Sequence, residues 1–399
     1  MRRSPLLPLL FLACSSSAGP AERYGFVTVL GRDTVAVERI ARSPTRLVAD
    51  GVDRWPFVRR RHTELDLAAD GRMRHMTMDV RTPNGASPKE RWRRVTADVS
   101  DEAVKISVRD SSGTRDTAFA TGGAITVPHV SMMYSIIELE ISAALRQAAA
   151  SGLAPGDSVM FRQFYPDRDV GRSFVLHRGF VRPRAGGKVE LWHDWLAGVG
   201  DVTVDRAGRM LTYSGTRSTY KVAVARTASP PDIDAIERRL AAAERQTGQQ
   251  QLSVRDTVRA TIGAATFAVD YGRPLARGRK LLGDVISYDR VWRTGANAAT
   301  QFTTSAPITL AGLSLPPGTY TLWTAPHVGG VDLIVNRQTG QWGTEYSRAQ
   351  DLGKARMRSD SLATPVEKFT ISIEGSDARR GTLAMTWGTF RWTAPIVVE

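Results

Sequence analysis

Five side chains in the last third of the chain have the types and spacing to hold a ligand: Arg273, Arg279, Trp292, Arg293 and Asn297. They lie in two words, "YGRPLARGRKLLG" at Tyr271–Gly283 and "YDRVWRTGANAAT" at Tyr288–Thr300. Arginine presents a rigid fork that suits carboxylate, phosphate or sugar hydroxyls. Five of the nine tryptophans fall in the same region: Trp292, Trp323, Trp342, Trp387 and Trp392. An exposed indole beside Arg and Asn suits a glycan, because the ring face stacks on sugar. A structural reading of the same residues stands beside this one and is preferred. The arginines then satisfy backbone carbonyls, Trp292 is largely buried, and Asn297 pins a turn at positive φ with Gly295.

Other chemistry is hard to assemble. The sequence has no G-x-S-x-G elbow, no H-E-x-x-H and no phosphate loop. The six histidines, His62, His75, His129, His177, His193 and His327, are scattered. Met73, His75, Met76 and Met78 resemble soft copper ligands in type. Strand alternation, however, sets Met73 and His75 against Met76 and Met78. His193 and Asp194 in "LWHDWL" read as a buried hydrogen-bonded pair. An envelope hydrolase would need two facing carboxylates, and Asp284, Asp289, Asp332 and Glu345 show no pairing in their spacing. No catalytic residue, metal ligand or cofactor is assigned.

The elements that must position these residues are mostly strands. The chain has 399 residues, a soft indication of two domains. From Tyr24 to about Arg226, alternating segments are punctuated by turns at Gly31–Asp33, Asp70–Gly71, Ser111–Gly113 and Gly186–Gly187. One stretch, "MMYSIIELEISAALRQAAASG", is apolar on nearly every side. It reads as a buried helix capped by Ser131. The expected architecture is a curved antiparallel sheet or incomplete barrel holding that helix on its concave face. Pro230 and Pro231 then break the ladder, and Asp232 caps a linker helix to about Gly248 with Ile233, Ile236, Leu240 and Ala243 as its apolar stripe. Short strands from Leu252 onward indicate a β-sandwich. The plan is a β-rich domain at 23–226, a linker with helix at 227–251 and a β-sandwich at 252–399.

The formal charge is +14, and 47 of the 54 basic residues are Arg. They are dispersed through both halves, so nucleic acid is not an expected partner. Cys14 is the only cysteine. It follows Arg2, Arg3 and the apolar run Leu6–Ala13, which is too short to span a bilayer. The end of that run, "FLAC", resembles the lipobox of bacterial lipoproteins, with Phe11 in place of the usual aliphatic residue. The resemblance implies a signal peptide at 1–13, lipid on Cys14 and a tether at 14–22. An exported protein anchored to a bacterial envelope membrane follows, with the periplasmic side of the outer membrane as the expected location.

The C-terminal part is similar to a bacterial domain-of-unknown-function family, number 2911. The two words above carry the resemblance, followed in order by "LPPGTYTLWTAP" at Leu315–Pro326 and "NRQTGQWGTEY" at Asn336–Tyr346. Gly272 stands where the family more usually has Ser, and Ala298 where it often has Glu. The resemblance implies an exported β-rich domain and no established activity. Binding or scaffolding at the envelope is therefore the expected function. The alternatives are a carrier of an apolar ligand in the N-terminal domain and a glycan-binding protein or hydrolase.

Overall fold

The computed structural model describes residues 21–54, 57–85, 87–166, 176–194, 198–247 and 252–399. Cys14 and the 1–13 segment lie outside the described residues. The protein is mainly β, built on two large sheets.

The first sheet has fifteen strands in an almost unbroken antiparallel meander. Glu22–Leu30 lies at its centre. On one side follow Asp33–Arg42, Arg46–Arg54, Val58–Leu67, Met73–Arg81, Trp92–Val99, Ala103–Asp110 and Gly113–Ala120. On the other side Ala223–Thr227 pairs first, with Phe26 opposite Arg226. Met210–Ser214, Val199–Val204, Lys188–His193, His177–Arg184 and Val159–Phe164 come next, and a short parallel strand, Thr126–Pro128, closes that edge. The expected hairpin turns are all present. Asp70 shows how one is fixed, since its carboxylate accepts from the Arg72 amide at 3.0 Å.

Helix α1 (Pro88–Arg91) is a single turn between two strands. Helix α2 (Tyr134–Ala150) is the buried helix expected from sequence, and twelve of its residues are buried. Both arms of the sheet close on it: Phe26, Ile40, Leu65, Met76 and Ile106 from one arm share a core with Phe161, Leu191 and Met210 from the other. Ser131 does not cap α2. Glu38, one strand away, accepts hydrogen bonds from the Tyr134 and Ser135 amides and the Ser135 hydroxyl. A carboxylate at that end suits the helix dipole and satisfies amides that lack helical partners.

Helix α3 (Ile233–Thr247) starts with Asp232 accepting from the Ala235 amide at 3.0 Å. Its apolar stripe, Ile233 and Leu240, packs on Val37, Val52 and Val58. Val37 has the opposite strand parity to Ala36 and Ile40, so α3 covers the convex face while α2 fills the concave one. The parity argument for Met73 fails. Met73, Met76 and Met78 are all buried and His75 faces outward to Asp98 at 2.7 Å. A register shift opposite Asp66 and Leu67 changes the alternation there. Among the described residues, no group of three or more His, Cys, Asp or Glu side chains could hold a metal ion, and no helix is long and apolar enough to cross a membrane.

The second sheet has nine strands: Val254–Ile262, Ala265–Arg273, Thr300–Thr304, Gly318–His327, Gly330–Asn336, Asp351–Gly375, Arg380–Val398, Ile308–Leu310 and Leu313–Leu315, in that spatial order. Asp351–Gly375 changes register at Ser361 and Val366. Its first stretch pairs with Gly330–Asn336 and its second with Arg380–Val398. Pro274 and Ala276 then bond the backbone of Phe369 and Glu367, which draws the two halves together over one core. Phe267, Tyr271, Phe302, Leu322, Trp387 and Trp392 fill it.

Candidate functional site

The two motif words begin at the end of the Ala265–Arg273 strand and run to Thr300 through the segment from Pro274 to Ala299, which has no regular strand. Isolated bridges tie it to the sheet: Leu275 to Lys368, Trp292 to Thr324 and Ala298 to Trp342. Its course depends on two close backbone approaches. A Cβ on Gly272 would lie 2.1 Å from the Ala296 carbonyl oxygen. One on Gly343 would lie 2.2 Å from Arg293 Cδ and 2.4 Å from the Asn297 oxygen. Only glycine admits such packing without displacing the loop. The Gly272 departure is thus coupled to the position of Ala296 in this chain.

The five side chains separate into two groups. Arg273 donates to the Phe369 carbonyl at 3.1 Å, the Thr370 hydroxyl at 2.9 Å and the Asp256 carboxylate at 2.7 Å. Arg279 donates to the carbonyls of Ala276 at 3.1 Å and Leu275 at 2.7 Å. Burial and then the neighbouring Arg277 pull the Arg279 pKa down to about 10. Trp292 stacks on Trp387 with centroids 6.0 Å apart and meets Phe369 edge-on at 5.2 Å. It is only partly buried, because it enters from a loop bridged to the Gly318–His327 strand and covers the core from outside. These three act within the fold.

Arg293 and Asn297 differ. Asn297 is exposed at φ 64°, as expected for the turn, and it is its backbone oxygen that accepts from the Gly343 amide, at 3.0 Å. Arg293 is partly buried, with its stem against Gly343. Burial lowers its pKa. Among the described residues its guanidinium donates no hydrogen bond and joins no ion pair. Beside both stands Trp342, 49% exposed, whereas Trp323, Trp387 and Trp392 are buried. The Trp342 amide donates to the Glu345 carboxylate at 3.2 Å, which fixes the turn that carries the ring. The arrangement is an exposed indole, an exposed amide and a guanidinium without an acceptor on one loop pair. It offers stacking and forked hydrogen bonding and contains no nucleophile.

The carboxylates do not form a hydrolytic pair. Asp332 is held by Lys354 at 2.8 Å and Arg356 at 3.0 Å, and Glu345 is engaged by Trp342. Asp284 and Asp289 are exposed in the loop. His193 and Asp194 are also separated. Asp194 accepts from the Arg178 amide at 2.9 Å, while His193 is fully buried, 3.2 Å from Glu140 of α2. Burial pushes the Glu140 pKa up to about 7 and the His193 pKa down to about 3, so both tend to neutrality. Glu140, like Glu138, is buried within the largely apolar α2.

Residues 253–396 match the model of a family described as "Protein of unknown function (DUF2911)", as the four sequence words imply. No curated protein matches the chain. Among solved structures, the chain is similar to a DUF1089-family protein from Pseudomonas aeruginosa. Identity is 14% over 47% of this chain and 93% of that one, with a TM-score of 0.34.

Proposed function

We propose that this chain, whose C-terminal sheet is a DUF2911 domain, is a binding protein of the bacterial envelope that takes a saccharide at Trp342, Arg293 and Asn297. The observation that carries the reading is Arg293. It is partly buried yet donates to no protein acceptor among the described residues, which leaves its fork available to a ligand, and its stem packs on Gly343, next in sequence to the exposed Trp342. Sugar hydroxyls would supply the acceptors and a pyranose face would cover the indole. The apolar-carrier alternative has less support, because α2 occupies the concave face with twelve buried residues.

Titration of the full-length mature protein with oligosaccharides, followed by calorimetry, tests this. Arg293→Ala and Trp342→Ala should each weaken binding at least about tenfold, while stability stays within about 0.5 kcal/mol. Arg279→Ala should behave in the opposite way. It strands two carbonyl acceptors and should cost about 1–3 kcal/mol of stability. If Arg293→Ala destabilises the protein as much as Arg279→Ala does, Arg293 belongs to the fold and the binding reading fails.

Anchoring through Cys14 is part of the same proposal, supported by its position after the apolar run. Cys14→Ser should move the protein from the membrane fraction to the soluble fraction. Equal membrane association of the variant and the parent would remove the anchor.

A further inference from the structure

The surface around Arg293 carries positive charge that its own fold leaves largely unneutralised, and part of that charge comes from the first sheet. Lys221 precedes the Ala223–Thr227 strand. Its ammonium donates to the Thr216 carbonyl and, at 3.1 Å, to the carbonyl of Asp284, which lies between the two motif words. Lys221 therefore reaches across from the N-terminal sheet to the C-terminal loop. The charges of Arg293, Arg279 and Arg290 act on it, and that of Asp284 opposes them. Burial, followed by these three guanidinium groups, draws its pKa down to about 8. Arg279 is bound to two carbonyls, and the charges of Glu367 and Asp33 compensate it only in part. Arg290 is exposed, and like Arg293 it joins no ion pair among the described residues.

Four cations stand against Asp284 and, on the Arg279 side, Glu367 and Asp33; the cations repel one another, and partial burial of Lys221 and Arg293 weakens the solvent screening of that repulsion. Neutral hydroxyls would satisfy donors but leave the repulsion in place. A carboxylate or phosphate would do both, and a guanidinium binds either in a forked geometry. Resting on the binding reading above, we propose that the saccharide carries an anionic group, carboxylate or phosphate, received between Arg293 and Lys221, so that the bound ligand touches both sheets.

The test uses the full-length mature protein and four probes: trigalacturonate, glucose 1-phosphate, cellotriose as the neutral counterpart, and inorganic phosphate alone. At low salt, trigalacturonate or glucose 1-phosphate should bind at least about tenfold more tightly than cellotriose, with a preference that shrinks as salt rises. Which of the two is preferred tells carboxylate from phosphate, and inorganic phosphate should bind more weakly than either. Lys221→Gln and Arg290→Gln should each reduce that preference about three- to tenfold and leave cellotriose binding unchanged. Arg94→Gln, on a distant strand of the first sheet, controls for general attraction to a basic protein. Equal binding of acidic and neutral probes overturns the anion inference and leaves saccharide binding standing. The anion inference is likewise overturned if Arg94→Gln weakens the acidic probes as much as Lys221→Gln does. If no saccharide binds, both readings fall. Tight binding of inorganic phosphate alone would make the site a free-anion site and overturn the saccharide assignment.

Discussion

Replacement of Glu138 by alanine is expected to destabilise the N-terminal sheet by about 3–5 kcal/mol, the usual cost of stripping one member from a buried ion pair. The carboxylate has no solvent exposure and accepts from the Tyr24 hydroxyl at 2.6 Å, Arg42 at 2.8 Å and Arg209 at 2.8 Å. Its second oxygen accepts from the Met210 amide at 3.1 Å. Burial, and then the Glu138 charge, raise the Tyr24 pKa well above the usual phenol range, so that hydroxyl remains a donor. Alanine would leave the Arg42 guanidinium, a phenol and an amide without that acceptor, while Arg209 would keep only its bond to Glu22 at 2.8 Å. Glu138→Gln keeps an acceptor and removes the charge, so its loss should be intermediate. Urea unfolding followed by far-ultraviolet circular dichroism reads the difference. A loss under about 1 kcal/mol for the alanine variant would mean that water replaces the carboxylate.

The second large effect is expected at Trp387. It is fully buried, stacks on Trp292 and meets Phe369 edge-on at 6.0 Å, and its indole donates to the Glu367 carbonyl at 3.1 Å. Trp387→Ala should cost about 3–5 kcal/mol, as for other large core truncations. Trp292→Ala should cost less, because Trp292 is only partly buried over the same core. Sequence reasoning places the large cost at Trp292, so the ordering of these two variants in denaturant melts is decisive. A larger loss for Trp292→Ala would reverse the assignment of core and cover.

The difference between these tryptophans shows what local pattern reveals. Turn pairs such as Asp70–Gly71 and the all-round apolar α2 are legible because their causes lie within a few residues. The two sheets and the linker helix follow from such signals. Glu138 is not legible in that way: Tyr24, Arg42 and Arg209 lie 114, 96 and 71 residues from it in sequence. A carboxylate inside an apolar helix was the available signal, since burial demands partners. At the candidate site, Arg273, Arg279 and Arg293 look alike in sequence. Only the backbone course at Gly272 and Gly343 decides which of them meets carbonyls. Trp342, between Gly340 and Gly343, was distinguishable from the strand tryptophans by its glycine-flanked loop. Lys221 carried no signal, because the charges that act on it come from the C-terminal loop, some sixty to seventy residues further along the chain.

The central seam of the fifteen-stranded sheet joins Glu22–Leu30 to Ala223–Thr227. Every other antiparallel pair of that sheet joins strands that follow one another closely along the chain, so the two arms can form early and separately. The seam must wait for both, and α2 follows the first arm and the edge strand Thr126–Pro128 in sequence while packing on both arms in space. During synthesis the first arm therefore presents an open strand edge and a bare apolar face until the chain from Ala120 to Thr227 has emerged. Open edges of that kind template pairing with other chains. Loop closure over so long a separation is also slow. This domain completes its core only after its last strand is made, which places the hazard of misassembly in the interval between synthesis and closure.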